Sequence, residues 1–394
     1  MILLVLKGLF VISLFIILYT YAGYPLLLLM LVKIKRLVRG FAPRIPNLGF
    51  FPPVTLIVAA FNEDEILEEK IRNSLDLDYP ADSLKFLFVT DGSTDNSTVV
   101  FERFPEVGHI HQPERNGKLH ALNRAMGEVT TDFVIFSDAN SLLNRDCVAN
   151  LVRHYQDPLV GGVTGEKKVV PYSSSDAIGM GEGLYWRYES WIKKMDAELY
   201  SVVGAAGELF SVRTSCYEEL SADIILDDFV QSLKICQKGY IIKYDHTAYA
   251  LETASLTLSE EIERKTRISA GGFQAIGILG ILLNPFSHPL LSFQYLSHRV
   301  FRWTLAPFSL LIFFISSAIL WVEAAGILYD VTFYAQIAVY ILALIGWWMA
   351  TGGRKGGLAY VLFYFLMMNY CVFAGFGRFL KGRQDVAWQK ARRG

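Results

Sequence analysis

Hydrophobic positions recur along the 394-residue chain in two different rhythms. Ile2 to Val32 is apolar with a single charge, Lys7, and is long enough to cross a bilayer, which takes about 20 apolar residues. The run is too long for a signal peptide, and it ends in Lys33, Lys35, Arg36 and Arg39 without a small-residue cleavage site, so it reads as a retained anchor. Three more candidate spans lie at the C-terminal end: Phe301–Gly326, Phe333–Ala350 and Gly357–Leu380. The long segment between has ordinary soluble composition. The pattern predicts a soluble domain held at both ends by membrane segments.

Inside that domain the rhythm changes to short apolar runs alternating with helical periodicity. "VTLIVAAFNE" (54–63) is a continuous β-branched run ending in polar groups, as a buried parallel strand does. Glu65 to Leu77 carries Ile66, Ile71 and Leu75 at helical spacing. "LKFLFVTD" (84–91) predicts a second strand, "GHIHQ" a weaker third, Gly117 to Val129 a helix, and "DFVIFSD" a fourth strand. Strand, helix and strand with short connections predict a doubly wound α/β sheet. Ligands of such sheets bind beyond the carboxyl ends of the strands. Three of the strands end in acids or amides: Asn62-Glu63, Asp91, and Asp138 followed by Asn140. A turn explains each one alone; a shared ligand explains all three together.

Composition narrows the partners. The net charge of −1 supplies no basic field for nucleic acid. Basic residues instead flank the spans, as a membrane surface favours. Lys33, Lys35, Arg36 and Arg39 place the soluble domain in the cytoplasm by the positive-inside rule. The loop near Glu323 and Asp330 lacks Lys and Arg, as an outside loop should, and Arg354 and Lys355 then fall inside. A full crossing by the last span would put Lys381, Arg383, Lys390, Arg392 and Arg393 outside, so either the rule fails there or one segment does not cross. Gly271–Leu283, ending at Asn284-Pro285, is a candidate interfacial or re-entrant helix. Cys147, Cys216, Cys236 and Cys371 lack metal-binding spacing and read as reduced structural thiols. The histidines form no HExxH, and His109 and His111 share one face of a strand.

No G-x-G-x-x-G follows the first strand and no complete P-loop occurs, since Asn116-Gly117-Lys118 lacks its upstream half. A nucleoside diphosphate would therefore rest on other residues. Asp91 and the Phe61-Asn62-Glu63 segment offer acceptors to a base and ribose. Mg²⁺ takes one or two protein oxygens plus substrate phosphates, a demand that Asp138 with the neutral Asn140 matches. Lys118, at a helix start, offers a point charge to phosphate or is simply solvated. Asp227 and Asp228 open an amphipathic helix. Asp227 reads as a helix N-terminal acid favoured by the macrodipole, and Asp228 as the base for an acceptor hydroxyl. In "SEEIERKTRISAGG", Glu260/Arg264, Glu261/Lys265 and Glu263/Arg267 are i,i+4 pairs of a surface helix, which spacing favours. The alternative is that Arg264 and Arg267 close over a departing diphosphate.

The ordered series "VAAFNE", "VTDGSTDNST", "RNGKLHALNRA", "FSDAN", "GAAGELFSVR", "LDDFVQSLKICQKGY" and "RKTRI" resembles the membrane-anchored members of glycosyltransferase family 2, from Pro53 to Gly272. The resemblance implies a GT-A fold, an inverting mechanism, a nucleotide-sugar donor (usually a UDP-sugar) and Mg²⁺ or Mn²⁺. By position, Asp91 resembles the base-binding aspartate, Asp138 the first residue of the DxD metal motif, and Asp228 the general base. The segment holding Gly207 and Glu208 resembles the acceptor-lining stretch. Two departures stand out. Asn140 replaces the second Asp of DxD, and "RKTRI" stands where polysaccharide synthases carry Q-x-x-R-W, so Arg267 matches while Arg264 and Ile268 replace Gln and Trp.

The expected enzyme is a hexosyl- or N-acetylhexosaminyl-transferase in the cell (inner) membrane, multi-pass, with its catalytic domain cytoplasmic. It would act on a membrane-associated glycan or lipid-linked acceptor. A processive synthase that also translocates its product is one alternative, and a non-catalytic nucleotide-sugar-binding or glycan-translocating membrane protein another. The expected parts are an anchor with its basic flank (1–40), a GT-A domain (41–256), an interfacial amphipathic region (257–300), and a C-terminal transmembrane region with a basic tail (301–394).

Overall fold

The computed structural model describes residues 1–39, 49–170, 177–255, 257–352 and 357–382. Of the expected basic flanks, Arg354, Lys355, Arg383, Lys390, Arg392 and Arg393 lie outside the described residues. In chain order come α1 (Ile2–Leu18), α2 (Tyr24–Arg39), β1 (Val54–Ala60), α3 (Asp64–Leu75), β2 (Leu84–Asp91), α4 (Ser97–Val100) and β3 (Gly108–Gln112). There follow α5 (Lys118–Met126), β4 (Phe133–Asp138), β5 (Leu142–Leu143), α6 (Cys147–Val152), β6 (Val160–Val170), α7 (Ala177–Leu199) and β7 (Phe210–Arg213). The rest are α8 (Asp227–Gln237), β8 (Ile241–Thr253), α9 (Leu258–Ile278), α10 (Pro289–Tyr295), α11 (Phe301–Trp303), α12 (Leu305–Val322), α13 (Ile327–Thr351) and α14 (Gly357–Leu380).

The eight strands form one sheet in the order β3-β2-β1-β4-β7-β6-β8-β5. Its first four strands are parallel, as alternating strand and helix predict. Every residue of β1 is buried, because side chains of opposite parity enter different cores. Ile57 and Ala59 pack with Leu122 of α5 and Leu233 of α8, whereas Leu56 and Val58 pack with Leu67 and Ile71 of α3. The second half of the sheet is mixed: β7 runs antiparallel to β4 and β6, and β6 pairs parallel with β8. Register decides the site. Ala59 pairs with Val89 on one side and with Asp138 on the other, so the ends of β1, β2 and β4 share one edge.

Among the described residues four helices are long and apolar enough to cross a membrane: Ile2–Val38, Leu305–Val322, Ile327–Thr351 and Gly357–Leu380. One lies near the N-terminus and three at the C-terminal end, as the hydropathy pattern predicts. The first is a single element of 37 residues with a π-helical segment, Tyr19–Gly23, between α1 and α2. Its lower half is part of the folded body: Tyr24, Leu28 and Val32 pack with Ile192, Met195 and Leu199 of α7.

Gly271–Leu283, the candidate interfacial or re-entrant helix, is shared between the end of α9 and a following turn. α9 continues to Ile278, and Gly280–Leu283 is a 3-10 turn. The glycine pair does not break the helix, because it serves close packing. A Cβ on Gly271 would lie 2.7 Å from Leu226 Cγ, and one on Gly272 2.6 Å from the Trp303 ring. α9 also lies along α14, where a Cβ on Gly375 would meet Ser269 Cβ at 2.6 Å.

Candidate active site

The acids at the strand ends are positioned by backbone and by buried partners. Lys70, fully buried on α3, donates to Ser137 Oγ at 2.8 Å and to the Ser141 carbonyl at 2.5 Å, which fixes the turn holding Asp138 and Asn140. Burial pushes the Lys70 pKa down to about 7. Ser141 N–H donates to the Asp138 carbonyl at 3.2 Å, so the segment is a turn as well as a set of oxygen donors. Lys118 opens α5 and its Nζ lies 2.6 Å from Asp138 Oδ1. The Asn140 amide donates to Glu252 Oε1 at 2.8 Å.

Asp91, at the end of β2, accepts from the N–H groups of Asn116 and Gly117 at 2.9 and 2.6 Å through Oδ2, while its buried Oδ1 has no partner among the described residues. One oxygen thus shapes the loop into α5 and the other remains an acceptor for a ligand. Asn62 has φ of 54° and accepts from Thr94 N–H at 2.8 Å, which ties the β1 and β2 loops together. The Arg115 guanidinium lies 3.9 Å from the centre of the Phe61 ring. Gly92, with φ of +65°, presses on Arg115, whose Cα would lie 2.8 Å from a Cβ placed there.

A cavity of about 1130 Å³ opens beside this edge. Of the residues expected from sequence, Glu63, Lys118, Asp138, Asn140, Gly207, Glu208, Asp227, Asp228, Arg264 and Arg267 line it. Phe61, Asn62 and Asp91 do not, and sit at the adjoining loops. Asp227 and Asp228 occupy the first turn of α8, and Asp228 Oδ1 accepts its neighbour's N–H at 2.8 Å. A Cβ on Gly207 would fall 3.3 Å from Asp228 Oδ2 and 3.6 Å from Lys118 Nζ, so acid and cation converge over this glycine. Burial and then the Asp227 charge push the Asp228 pKa up to about 7, where a carboxylate can take a proton near neutral pH.

Two expectations for α9 change. Arg264 pairs with Glu261 at 2.7 Å rather than with Glu260, and Glu263 meets Arg378 of α14. The Glu261/Lys265 pair is present, at 3.6 Å. Tertiary partners override the i,i+4 pattern because the helix is buried against α14: Tyr364 donates to Glu261 at 2.8 Å. Arg267 lines the cavity within the field of Asp227, Asp138 and Asp228, which oppose the lowering of its pKa by burial.

Sequence reasoning passed over Lys167, Glu252, Trp186 and Lys193. Lys167 binds Glu208 at 2.5 Å and also Glu252, so Glu208 is held by a buried lysine. No motif marks β6 or β8 as a source of such residues. Among the described residues there is no group of three or more His, Cys, Asp or Glu placed to hold a metal. Asp138 and Asn140 still fit a hard cation that takes its other ligands from substrate phosphate and water. Both donate oxygen, and Asp138 Oδ2 has no hydrogen-bond partner among the described residues.

The family model described as "Glycosyl transferase family 2" matches residues 55–220. A poly-β-1,6-N-acetyl-D-glucosamine synthase of Staphylococcus aureus is 24% identical over 238 residues, 58% of this chain and 57% of that protein. The corresponding synthase of Staphylococcus epidermidis is 21% identical over 231 residues, 57% and 55% of the two chains. The chain thus spans little more than half the length of these curated relatives. The mannosyltransferase PcManGT of Pyrobaculum calidifontis, solved with GDP-Man and Mn²⁺, superposes over 95% of this chain and 100% of its own with a TM-score of 0.69 at 22% identity, which is a likeness of fold. Residues 55–220 match glycosyltransferase family 2, the fold is of the GT-A kind, and the chain is similar to polysaccharide synthases over a little more than half its length.

Proposed function

We propose that the protein is an inverting, membrane-held transferase that moves a hexosyl or N-acetylhexosaminyl group from a nucleoside diphosphate sugar to a lipid-linked acceptor. The observation that carries this is the approach of Asp228 to Lys118 and Asp138 over Gly207. It puts a base with its pKa near 7 across a small gap from a cation suited to phosphate.

Asp228 takes the proton of an acceptor hydroxyl, the oxygen attacks the anomeric carbon, and the bond from that carbon to the diphosphate oxygen breaks. Lys118 and Arg267 receive the negative charge of the leaving nucleoside diphosphate. The free oxygen of Asp91 serves the base, and Gly207 leaves room for the acceptor. A divalent cation, Mg²⁺ or Mn²⁺, would be held by Asp138 and Asn140 and would offset diphosphate charge. UDP-sugars are the leading donors. The cavity also meets α14 and the N-terminal helix through Tyr364, Phe365, Met368 and Tyr21, a wall suited to a lipid tail. These contacts favour catalysis at the membrane surface, and the Lys33, Lys35, Arg36 and Arg39 flank favours its cytoplasmic side.

The test is release of nucleoside diphosphate by the detergent-solubilised chain from a panel including UDP-glucose, UDP-N-acetylglucosamine and GDP-mannose. Release from none of them, with or without a lipid-linked acceptor, overturns the reading. The synthase relatives favour a second reading, processive polymerisation. A product ladder made without added acceptor would establish it.

A further inference from the structure

α7 lines the cavity with Trp186, Glu189 and Lys193, spaced so that they share one helix face. Lys193 is 4% exposed, and among the described residues no carboxylate stands within ion-pairing distance of it. The two acids within one turn of it on the helix are taken: Glu189 Oε1 faces His298 and Arg299 and its Oε2 accepts from Arg302 at 3.0 Å, while Asp196 accepts from Tyr24, Gln294 and His298. What Lys193 does touch is an aromatic face, the Trp186 ring at 5.7 Å. That ring also meets Lys167 at 5.1 Å and Lys265 at 5.7 Å, but these two have carboxylate partners in Glu208, Glu252 and Glu261.

Lys193 therefore has no ion pair of its own among the described residues. Arg299, Arg302 and His298 share the carboxylates of Glu189 and Asp196, and Glu208 and Asp228 act on Lys193 only from beyond ion-pairing distance. Burying an unpaired ammonium is costly, and a ring face returns only part of its lost hydration. Burial, and next the Arg299 charge, lower the Lys193 pKa from its ordinary value. A bound anion would oppose both effects by favouring the charged ammonium. Tyr364, Phe365 and Met368 of α14 line the same cavity, so a ligand with an anion at Lys193 has an apolar wall for its chain.

We propose that Lys193, backed by Trp186 and Arg299, forms an anion subsite for the phosphate of a lipid-borne acceptor, separate from the donor diphosphate at Lys118. The inference deepens the transferase reading and rests on it for calling the ligand an acceptor. Lys193 also feels the carboxylates of Glu208 and Asp228, which line the same cavity.

The experiment is calorimetric titration of the full chain in detergent with farnesyl phosphate, farnesol and inorganic phosphate, alongside UDP and GDP with Mg²⁺. Charge-assisted bonds of about 1.5–3 kcal/mol predict that farnesyl phosphate binds about 10- to 100-fold tighter than farnesol. Lys193→Gln should remove that difference, Lys193→Arg should keep most of it, and nucleotide binding should be unchanged in both. Lys193→Gln should also melt no lower than wild type, since the charge it removes is unpaired. Equal binding of farnesol and farnesyl phosphate, or full phosphate recognition by Lys193→Gln, overturns the subsite. Inorganic phosphate binding as tightly as the lipid overturns the lipid source. Failure of wild type to bind either nucleotide counts against the transferase reading, and phosphate recognition is scored apart from it.

Discussion

Asp228→Asn removes one ionisable group and almost no volume, so activity and stability should move in opposite directions. The carboxyl of Asp228 titrates near 7 in the fold against 3.8 when free, chiefly because burial and then Asp227 disfavour its charge. A carboxyl with a raised pKa costs the fold nothing below about pH 4, progressively more between 4 and 7, and its full amount above 7. The cavity admits solvent and Asp227 shares the effect, so a discounted penalty of about 1–2 kcal/mol is reasonable. At pH 8 the Asn variant should therefore melt a few degrees higher than wild type, and at pH 4 the two should coincide. Turnover should fall by about 10²- to 10⁴-fold, the usual contribution of a general base, with donor KM within a few-fold of wild type. In the wild type, kcat/KM should fall about tenfold per pH unit below 7. The assays are nucleoside diphosphate release and thermal unfolding in the same detergent across pH. Near-normal turnover in the variant would refute the assignment and point to Asp227, its neighbour in the first turn of α8.

Asp138→Ala should weaken donor binding in the presence of Mg²⁺ or Mn²⁺, read by titration with nucleotide, and Asn140→Asp should keep the site working; full activity in excess chelator would remove the metal from the mechanism. Glu189→Gln leaves Arg299 and Arg302 facing less negative charge in a buried site, and should cost about 3–5 kcal/mol of stability, seen as a large drop in melting temperature. Labelled donor should yield products lengthened by one or a few sugars, because Ile268 offers no flat face on which to hold a growing chain end; a high-molecular-weight ladder on a gel would show the opposite.

The parallel half of the sheet was legible because each of its strands is a short apolar run ending in polar groups and followed by helical spacing. The second half was hidden by glycine. β6 reads "VGGVTGEKKVV", a poor strand by propensity. Gly161 and Gly165 are there because Ile235 and Leu209 press to 2.5 Å of where a Cβ would stand. The acids Asp91, Asp138 and Asp228 were visible at strand and helix ends, whereas Lys167, Lys193 and Glu252 carry no local pattern. Lys167 and Glu252 gain their roles by pairing between neighbouring strands, and Lys193 by facing a cavity that distant segments of chain build. The pairing of Arg264 with Glu261 escaped prediction for the same reason, since a tertiary neighbour, α14, decides it.

The contact between α2 and α7 bears on how the protein can be handled. Lys35 donates to the last carbonyls of α7, Glu198 and Leu199, at 2.6 and 2.9 Å, and Arg36 clasps the Glu198 carboxylate. Above this clasp the phenol of Tyr24 binds Asp196. The N-terminal helix is thus a wall of the catalytic body as well as a tether. Trimming it to obtain a water-soluble fragment would uncap α7, expose Ile192 and Met195, and loosen the helix that presents Trp186 and Lys193 to the cavity. Purification should keep the first 39 residues and accept the detergent.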